Sequence, residues 1–160
     1  MLVPRGKNHE RVSYIVYLPR KELKEVAPEG NVALVFTDIQ SSTSLWDRCP
    51  EAMSEALRRH DRILRKLLKI LKGYEVKTEG DAFMVAFSKA IDAIRWCTRV
   101  QKALLEAKWS QPLLQQPAAK EEKDDNGQVI FAGIRVRMGI HVGPTESVRN
   151  PVSLILSPSF

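Results

Sequence analysis

Asp38 closes the apolar run VALVFTD, and Gln40, Ser41, Ser42 and Thr43 come almost at once after it. Asp81 stands in the stretch TEGDA, between two short runs of strand-forming residues. Two carboxylates brought to one end of a sheet repel each other unless a cation lies between them. Mg²⁺ takes oxygen ligands, commonly one or two protein carboxylates plus substrate phosphates. Small hydroxyl residues at a helix start leave backbone N–H groups open to phosphate. The chemistry these types allow is metal-assisted work on a phosphorylated substrate. A plainer reading fits the same residues: Asp38 and Ser41 cap a helix, and Asp81 serves only its turn.

Whether the carboxylates meet depends on the elements that carry them. NVALVFTD reads as a strand buried on both faces. Ser41, Ser42 and Thr43 offer N-caps to a helix beginning there. Residues 51–72 form a helix with Leu57, Leu64, Leu67, Leu68 and Leu71 at helical spacing, stopped by Gly73. YEVKT and FMVAF predict a hairpin with Glu79, Gly80 and Asp81 in its turn. Residues 89–108 predict a second amphipathic helix, with Ile91, Ile94, Trp96, Val100, Leu104 and Leu105 among its apolar positions. The polar segment 110–128 reads as a mobile surface insertion. FAGIRVRMGIHVG alternates, with Ile134, Val136, Met138 and Ile140 on one side and Arg135, Arg137 and His141 on the other, as a half-buried strand does. The order strand, helix, strand, strand, helix, strand predicts an α+β chain with a ferredoxin-like βαββαβ sheet and helices on one face. That topology sets the end of the first strand beside the hairpin turn, so Asp38 and Asp81 become neighbours.

The chain has 160 residues, enough for one cored domain. Residues 1–30 read as a linker or extension, residues 31–143 as the domain, and residues 144–160 as a divergent tail. LVPRG at residues 2–6 resembles the remnant of a cleavable tag, but Lys7 stands where such a tag has serine, and the segment reads equally as native sequence. No stretch is long and apolar enough to span a bilayer, and no secretory leader is evident. Cys49 and Cys97 lack metal-ligand spacing and read as free thiols. The net charge of +6 raises a nucleic-acid partner, prompted by Arg58, Arg59, Arg62, Arg65, Lys66 and Lys69. No aromatic interleaving accompanies this basic row, so a solvated helix face and no nucleic acid is the expectation. His60 and His141 read as structural or surface residues, and Trp46, Trp96 and Trp109 as packing residues.

Taken as one set, FTDIQSSTSLW, HDRILRKLL, GYEVKTEGDAFMVAF, AIRWCTRVQKALLEAKW and IRVRMGIHVG resemble the catalytic domain of class III nucleotidyl cyclases, most of all the fungal type of adenylate cyclase. The resemblance runs from about Asn31 to Gly143. It implies conversion of ATP to 3′,5′-cyclic AMP and pyrophosphate with two Mg²⁺ or Mn²⁺ ions per site. It implies Asp38 and Asp81 as metal ligands, with the Ile39 carbonyl as a third. It implies the backbone of Gln40, Ser41, Ser42 and Thr43 as the holder of the β- and γ-phosphates. Lys77 matches the lysine that reads adenine, where a glutamate would suit guanine.

The same family carries, beyond the region matched here, an aspartate that reads the adenine amino group, an asparagine that orients the ribose and an arginine that stabilises the transition state. Nothing in residues 144–160 resembles these, so the sequence predicts a domain incomplete at its C-terminus and weak or inactive alone. An unprotected sheet edge and poor solubility are expected to accompany it. The family works as dimers with sites shared across the interface, which implies a homodimer or a heterodimer with another cyclase domain. It also implies a cytoplasmic location, with membrane association only through other domains. The rival expectation is a pseudo-cyclase that binds nucleotide, or pairs with a full-length cyclase, without catalysis.

Overall fold

The computed structural model describes residues 27–145. The expected linker and tail lie largely outside these residues. Strand β1 (Gly30–Ile39) is followed by α1 (Ser42–Arg48) and α2 (Pro50–Ile70), then by the hairpin of β2 (Tyr74–Glu79) and β3 (Ala82–Phe87). Helix α3 (Ala90–Leu105), the single turn α4 (Gln111–Leu114), the short strands β4 (Glu122–Lys123) and β5 (Val129–Phe131), and β6 (Val136–Thr145) complete the order. The main sheet runs β2-β3-β1-β6 with every pairing antiparallel. With crossover helices α2 and α3, this is the ferredoxin-like arrangement the sequence predicts.

Successive residues of a strand face opposite sides. In β1, Ala33, Val35, Thr37 and Ile39 are buried, while Phe36 on the other face is 49% exposed. The continuous apolar run had suggested burial on both faces. The helices cover only one, so the run has one core face and one that opens along its length, from Val32, only 1% exposed, to Phe36. Helix α2 turns Met53, Ala56, His60, Leu64 and Leu68 inward, and α3 turns Ala93, Trp96, Val100 and Leu104 inward. Ile91 and Ile94, assigned to the apolar face of α3 by type, are about half exposed. Burial of the inward rows supplies most of the driving force, at roughly 25 cal/mol per Å² of apolar surface.

Helix α2 ends in a tight reverse turn. Lys72 takes φ 54°, the Gly73 N–H donates to the Leu68 carbonyl at 3.0 Å, and the Lys72 N–H donates to the Lys69 carbonyl at 3.3 Å. Gly73 is demanded by space, since a Cβ there would lie 2.4 Å from Leu68 and 2.5 Å from Phe87. The left-handed residue is the lysine before it, not the glycine expected to stop the helix.

Residues 110–128 differ from the mobile insertion expected of their composition. They contain α4 and β4, and Leu113 and Ala119 are fully buried in the core. The Gly133 N–H donates to the Ala119 carbonyl at 2.9 Å, and the Trp109 indole packs where a Gly133 side chain would be. Two small anchors suffice to fasten a polar segment. The half-buried reading of the last strand holds at one end only: Ile134 and Val136 are buried, whereas Ile140 is 42% exposed.

Candidate functional site

The antiparallel register decides which side chains share the open face of the sheet. Thr37 pairs with Phe83 and Asp38 with Arg137. Asp38 therefore lies on the open face at the end of β1, next to the β2–β3 turn. That turn is closed by Gly80 at φ 58° and delivers Asp81 to the same end of the sheet. Two hydrogen bonds fasten it there. The Phe83 N–H donates to the buried Thr37 hydroxyl at 3.2 Å, and the Ile39 N–H donates to Asp81 Oδ2 at 3.2 Å. The register therefore brings the two aspartates to one end of the sheet, as predicted.

The capping alternative does not describe Asp38. Its Oδ2 accepts from Arg137 Nε at 3.0 Å and also from Arg137 Nη2. Ser41 is the N-cap of α1 by position, but at φ 58° its hydroxyl makes no capping bond. Gln40 differs from the expectation of an open phosphate-facing amide, because its N–H donates to the Arg135 carbonyl at 2.8 Å. Ser42 and Thr43 open the first turn of α1, where backbone N–H groups have no partner within the helix. At Ile39 the contact formed with the site is through its amide, and its side chain is buried.

A β-bulge places Lys77. The β2–β3 register shifts between Glu75 and Lys77, with Val76 the extra residue. Two positions apart, Glu75 and Lys77 would share a face in a regular strand. With the bulge, Glu75 pairs with Val85 and turns toward α2, while Lys77 pairs with Met84 and takes the open face with Asp38. Lys77 Nζ contacts Glu79 at 2.6 Å. Glu75 receives Arg65 of α2, with Nε–Oε2 3.0 Å and Nη2–Oε1 2.9 Å, and Arg65 also reaches Asp61 at 2.9 Å and lies 4.8 Å from the Phe83 ring centre. The Arg65 guanidinium, together with the Thr78 hydroxyl, holds the Glu75 carboxyl below its ordinary range. This knot ties the hairpin that carries Lys77 and Asp81 to the long helix.

The basic row on α2 is less free than its sequence implies. Arg58 donates to Ser54, Arg59 pairs with Glu55 and reaches the Lys108 carbonyl, and Arg65 is held by Glu75 and Asp61. Trp96 is fully buried, and its indole N–H donates to the Leu64 carbonyl at 3.3 Å. Trp46 is exposed. Burial pushes the Cys97 thiol up to about 11 and raises Cys49 as well, so both stay protonated and unreactive near neutrality.

His60 is not a surface residue. It is fully buried, edge-on to Phe83 at 5.6 Å, with Nδ1 3.0 Å from Asp61 Oδ1 and Nε2 without a partner among the described residues. Burial lowers its pKa, against the opposing pull of Asp61 and, more weakly, Asp81. A depressed pKa means that below about pH 6.5 the unfolded chain binds a proton the folded chain refuses. Stability is expected to be flat above pH 6.5 with respect to this group and to decline as pH falls toward its folded pKa. Urea midpoints at a series of pH values from about 7.5 to about 5 would check this, and the slope should shrink in His60→Leu.

The arrangement suits a hard divalent cation. Asp38 and Asp81 each offer Oδ1, which accepts no hydrogen bond among the described residues, and Asp38 already attracts a cationic group. No group of three or more His, Cys, Asp or Glu suited to a closed metal cage occurs among the described residues. Nor is any helix there long and apolar enough to cross a membrane.

Residues 25–148 match the family described as the adenylate and guanylate cyclase catalytic domain. An adenylate cyclase of Podospora anserina is 44% identical over 136 residues, covering 85% of this chain and 6% of the relative. One from Schizosaccharomyces pombe is 37% identical over 154 residues, covering 92% and 9%. Among solved structures, an adenylate cyclase from Trypanosoma brucei, described in its monomeric state, superposes with a TM-score of 0.71 at 31% identity, covering 79% of this chain and 63% of that one. The chain thus spans under a tenth of the length of these curated relatives.

Proposed function

The chain belongs to the adenylate and guanylate cyclase catalytic domain family, and on that premise we propose that it supplies the metal-binding half of an adenylate cyclase site. The observation that carries this reading is the convergence of Asp38 and Asp81 at one sheet end, fastened by the Ile39 amide. Asp38 and Asp81 would hold two Mg²⁺ or Mn²⁺ ions, with the Ile39 carbonyl as a further ligand. When bound, these ions lower the pKa of the ATP ribose 3′-hydroxyl and neutralise charge on the departing pyrophosphate. The 3′-hydroxyl releases its proton to solvent and its oxygen forms a bond to the α-phosphorus while the bond to the pyrophosphate oxygen breaks, giving cyclic AMP and pyrophosphate.

The chain's own groups position the substrate. The amides of Ser41, Ser42 and Thr43 face the β- and γ-phosphates, whereas the Gln40 N–H is taken by the Arg135 carbonyl. Lys77, set on the open face by the bulge, donates to the adenine ring and favours ATP over GTP. It does so in the other site of a dimer, whose metal aspartates come from the second domain, since the open face is where a second cyclase domain would meet this one. That second domain supplies the asparagine and arginine that the resemblance expects and that residues 144–160 do not match. Preorganised charge of that kind is worth about 10²–10³ in rate per group, so the chain alone is expected to be slow.

The test is complementation. A complete cyclase domain whose own metal aspartates are replaced by asparagine is mixed with this chain and Mn²⁺-ATP, and cyclic AMP is measured. Product from the mixture, absent with either component alone and absent when this chain carries Asp38→Asn, supports the proposal. No product, with ATP still bound, would favour a nucleotide-binding module instead.

A further inference from the structure

We propose that Arg137 is a resident counter-cation for Asp38, which an incoming divalent metal must displace before the site can load. Arg137 lies directly opposite Asp38 in the β1–β6 register, on the open face of the sheet. Its Nε and Nη2 both donate to the same oxygen, Asp38 Oδ2, with Nε at 3.0 Å. A guanidinium does not lose its proton in a protein, so it cannot make way by titration. It can make way by moving. The Arg137 side chain is 68% exposed and that of Asp38 45%, and among the described residues β6 has no further strand on its outer side to hold the arginine in place. An exposed pair of this kind is weak enough to open and strong enough to bias what binds.

The consequence is a competition at one carboxylate. In the metal-free chain the negative charge of Asp38 is covered. Asp81 is not covered in this way, since its bond is to a backbone amide. Metal entry therefore begins at Asp81 and is completed at Asp38 only when Arg137 swings out. The inference rests on the proposed reading of Asp38 and Asp81 as metal ligands. A simpler role for the pair is to staple the edge strand β6 to β1, and the two roles differ in what they do to metal affinity.

The experiment is Mn²⁺ binding to the nucleotide-free 160-residue chain, followed by loss of the free-ion electron paramagnetic resonance signal. Arg137→Gln is expected to bind Mn²⁺ about two- to fivefold more tightly than the parent, the scale set by an exposed ion pair. Arg137→Lys, which keeps the charge but not the paired donors, is expected to fall between them. The gain should shrink in about 1 M NaCl, where exposed pairs are screened over about 3 Å. Arg95→Gln removes the same charge from α3, on the opposite side of the sheet, and should change affinity little. An affinity for Arg137→Gln equal to or weaker than the parent overturns the inference, as does an equal gain in Arg95→Gln. Those results leave the metal site standing if Asp38→Asn still weakens binding. Mn²⁺ binding that ignores Asp38→Asn overturns both the inference and the reading beneath it.

Discussion

Asp81→Ala and Asp81→Asn are expected to be equally dead in the complementation assay, at least about 100-fold below the parent, yet different in stability. Either change removes the charge that would hold the metal. Alanine also leaves the Ile39 N–H without its acceptor, and asparagine retains a carbonyl oxygen for it. A part-buried donor deprived of its partner costs on the order of 1–3 kcal/mol. Thermal melts should therefore place Asp81→Asn near the parent and Asp81→Ala several degrees below. Two variants with equal melting temperatures would mean that the bond from Ile39 does not fix the turn. Substantial cyclic AMP from either would mean that Asp81 is not a metal ligand.

Trp96→Ala should have the largest effect on the fold. Trp96 is the largest of the fully buried side chains. It packs on Phe87 with ring centres 5.9 Å apart and bonds the Leu64 carbonyl, so it fills the gap between α2, α3 and the sheet. Truncating a buried tryptophan costs about 3–5 kcal/mol. Small domains have only about 5–15 kcal/mol in total. The variant is expected to be largely unfolded at physiological temperature or to melt well below the parent. Trp96→Phe keeps most of the buried area and should remain folded, at a cost of roughly 1–2 kcal/mol for the smaller ring and the lost bond. Urea midpoints followed by circular dichroism would rank the three. A Trp96→Ala midpoint within about 1 kcal/mol of the parent would show that the core can collapse around the loss.

The element order was readable because its signals are local. Helical spacing in residues 50–70 and 90–105, and the paired runs about Gly80, need no knowledge of the rest of the chain. The meeting of Asp38 and Asp81 came from topology, once the order was known. What stayed hidden depends on distant pairing. Arg137 was assigned to the polar side of its strand, yet its position opposite Asp38 is a matter of register across nearly the whole domain. The engagement of the Gln40 amide by Arg135 is hidden for the same reason. Segment 110–128 misled by composition, since its many polar residues outweigh the two that are buried, Leu113 and Ala119. For His60 the sequence leaves a structural and a surface role open, and its place in the α2 row, in line with Ala56 and Leu64, decides for the structural one. Phe36 and Ile94 are the reverse case, large apolar residues left about half exposed among the described residues.

The bulge at Val76 also bears on how this hairpin tolerates changes in length. Removing one residue from a regular strand turns every side chain on one side of the cut to the wrong face. Val76 is the exception, because it has no partner of its own in β3. Without it, Glu75 and Lys77 would become sequence neighbours, and neighbours in a strand face opposite ways. Their partners, Val85 and Met84, are already consecutive in β3. Glu75 could therefore keep Arg65 and Lys77 could keep the open face in a chain one residue shorter. A deletion at Thr78 has no such refuge, since it would set Lys77 against α2 or cast Glu75 away from it. Two relatives of this chain could thus differ in length at this strand and still keep the same lysine on the open face. Counting residues back from the aspartate of the turn is then a safer guide to that lysine than counting forward from the helix.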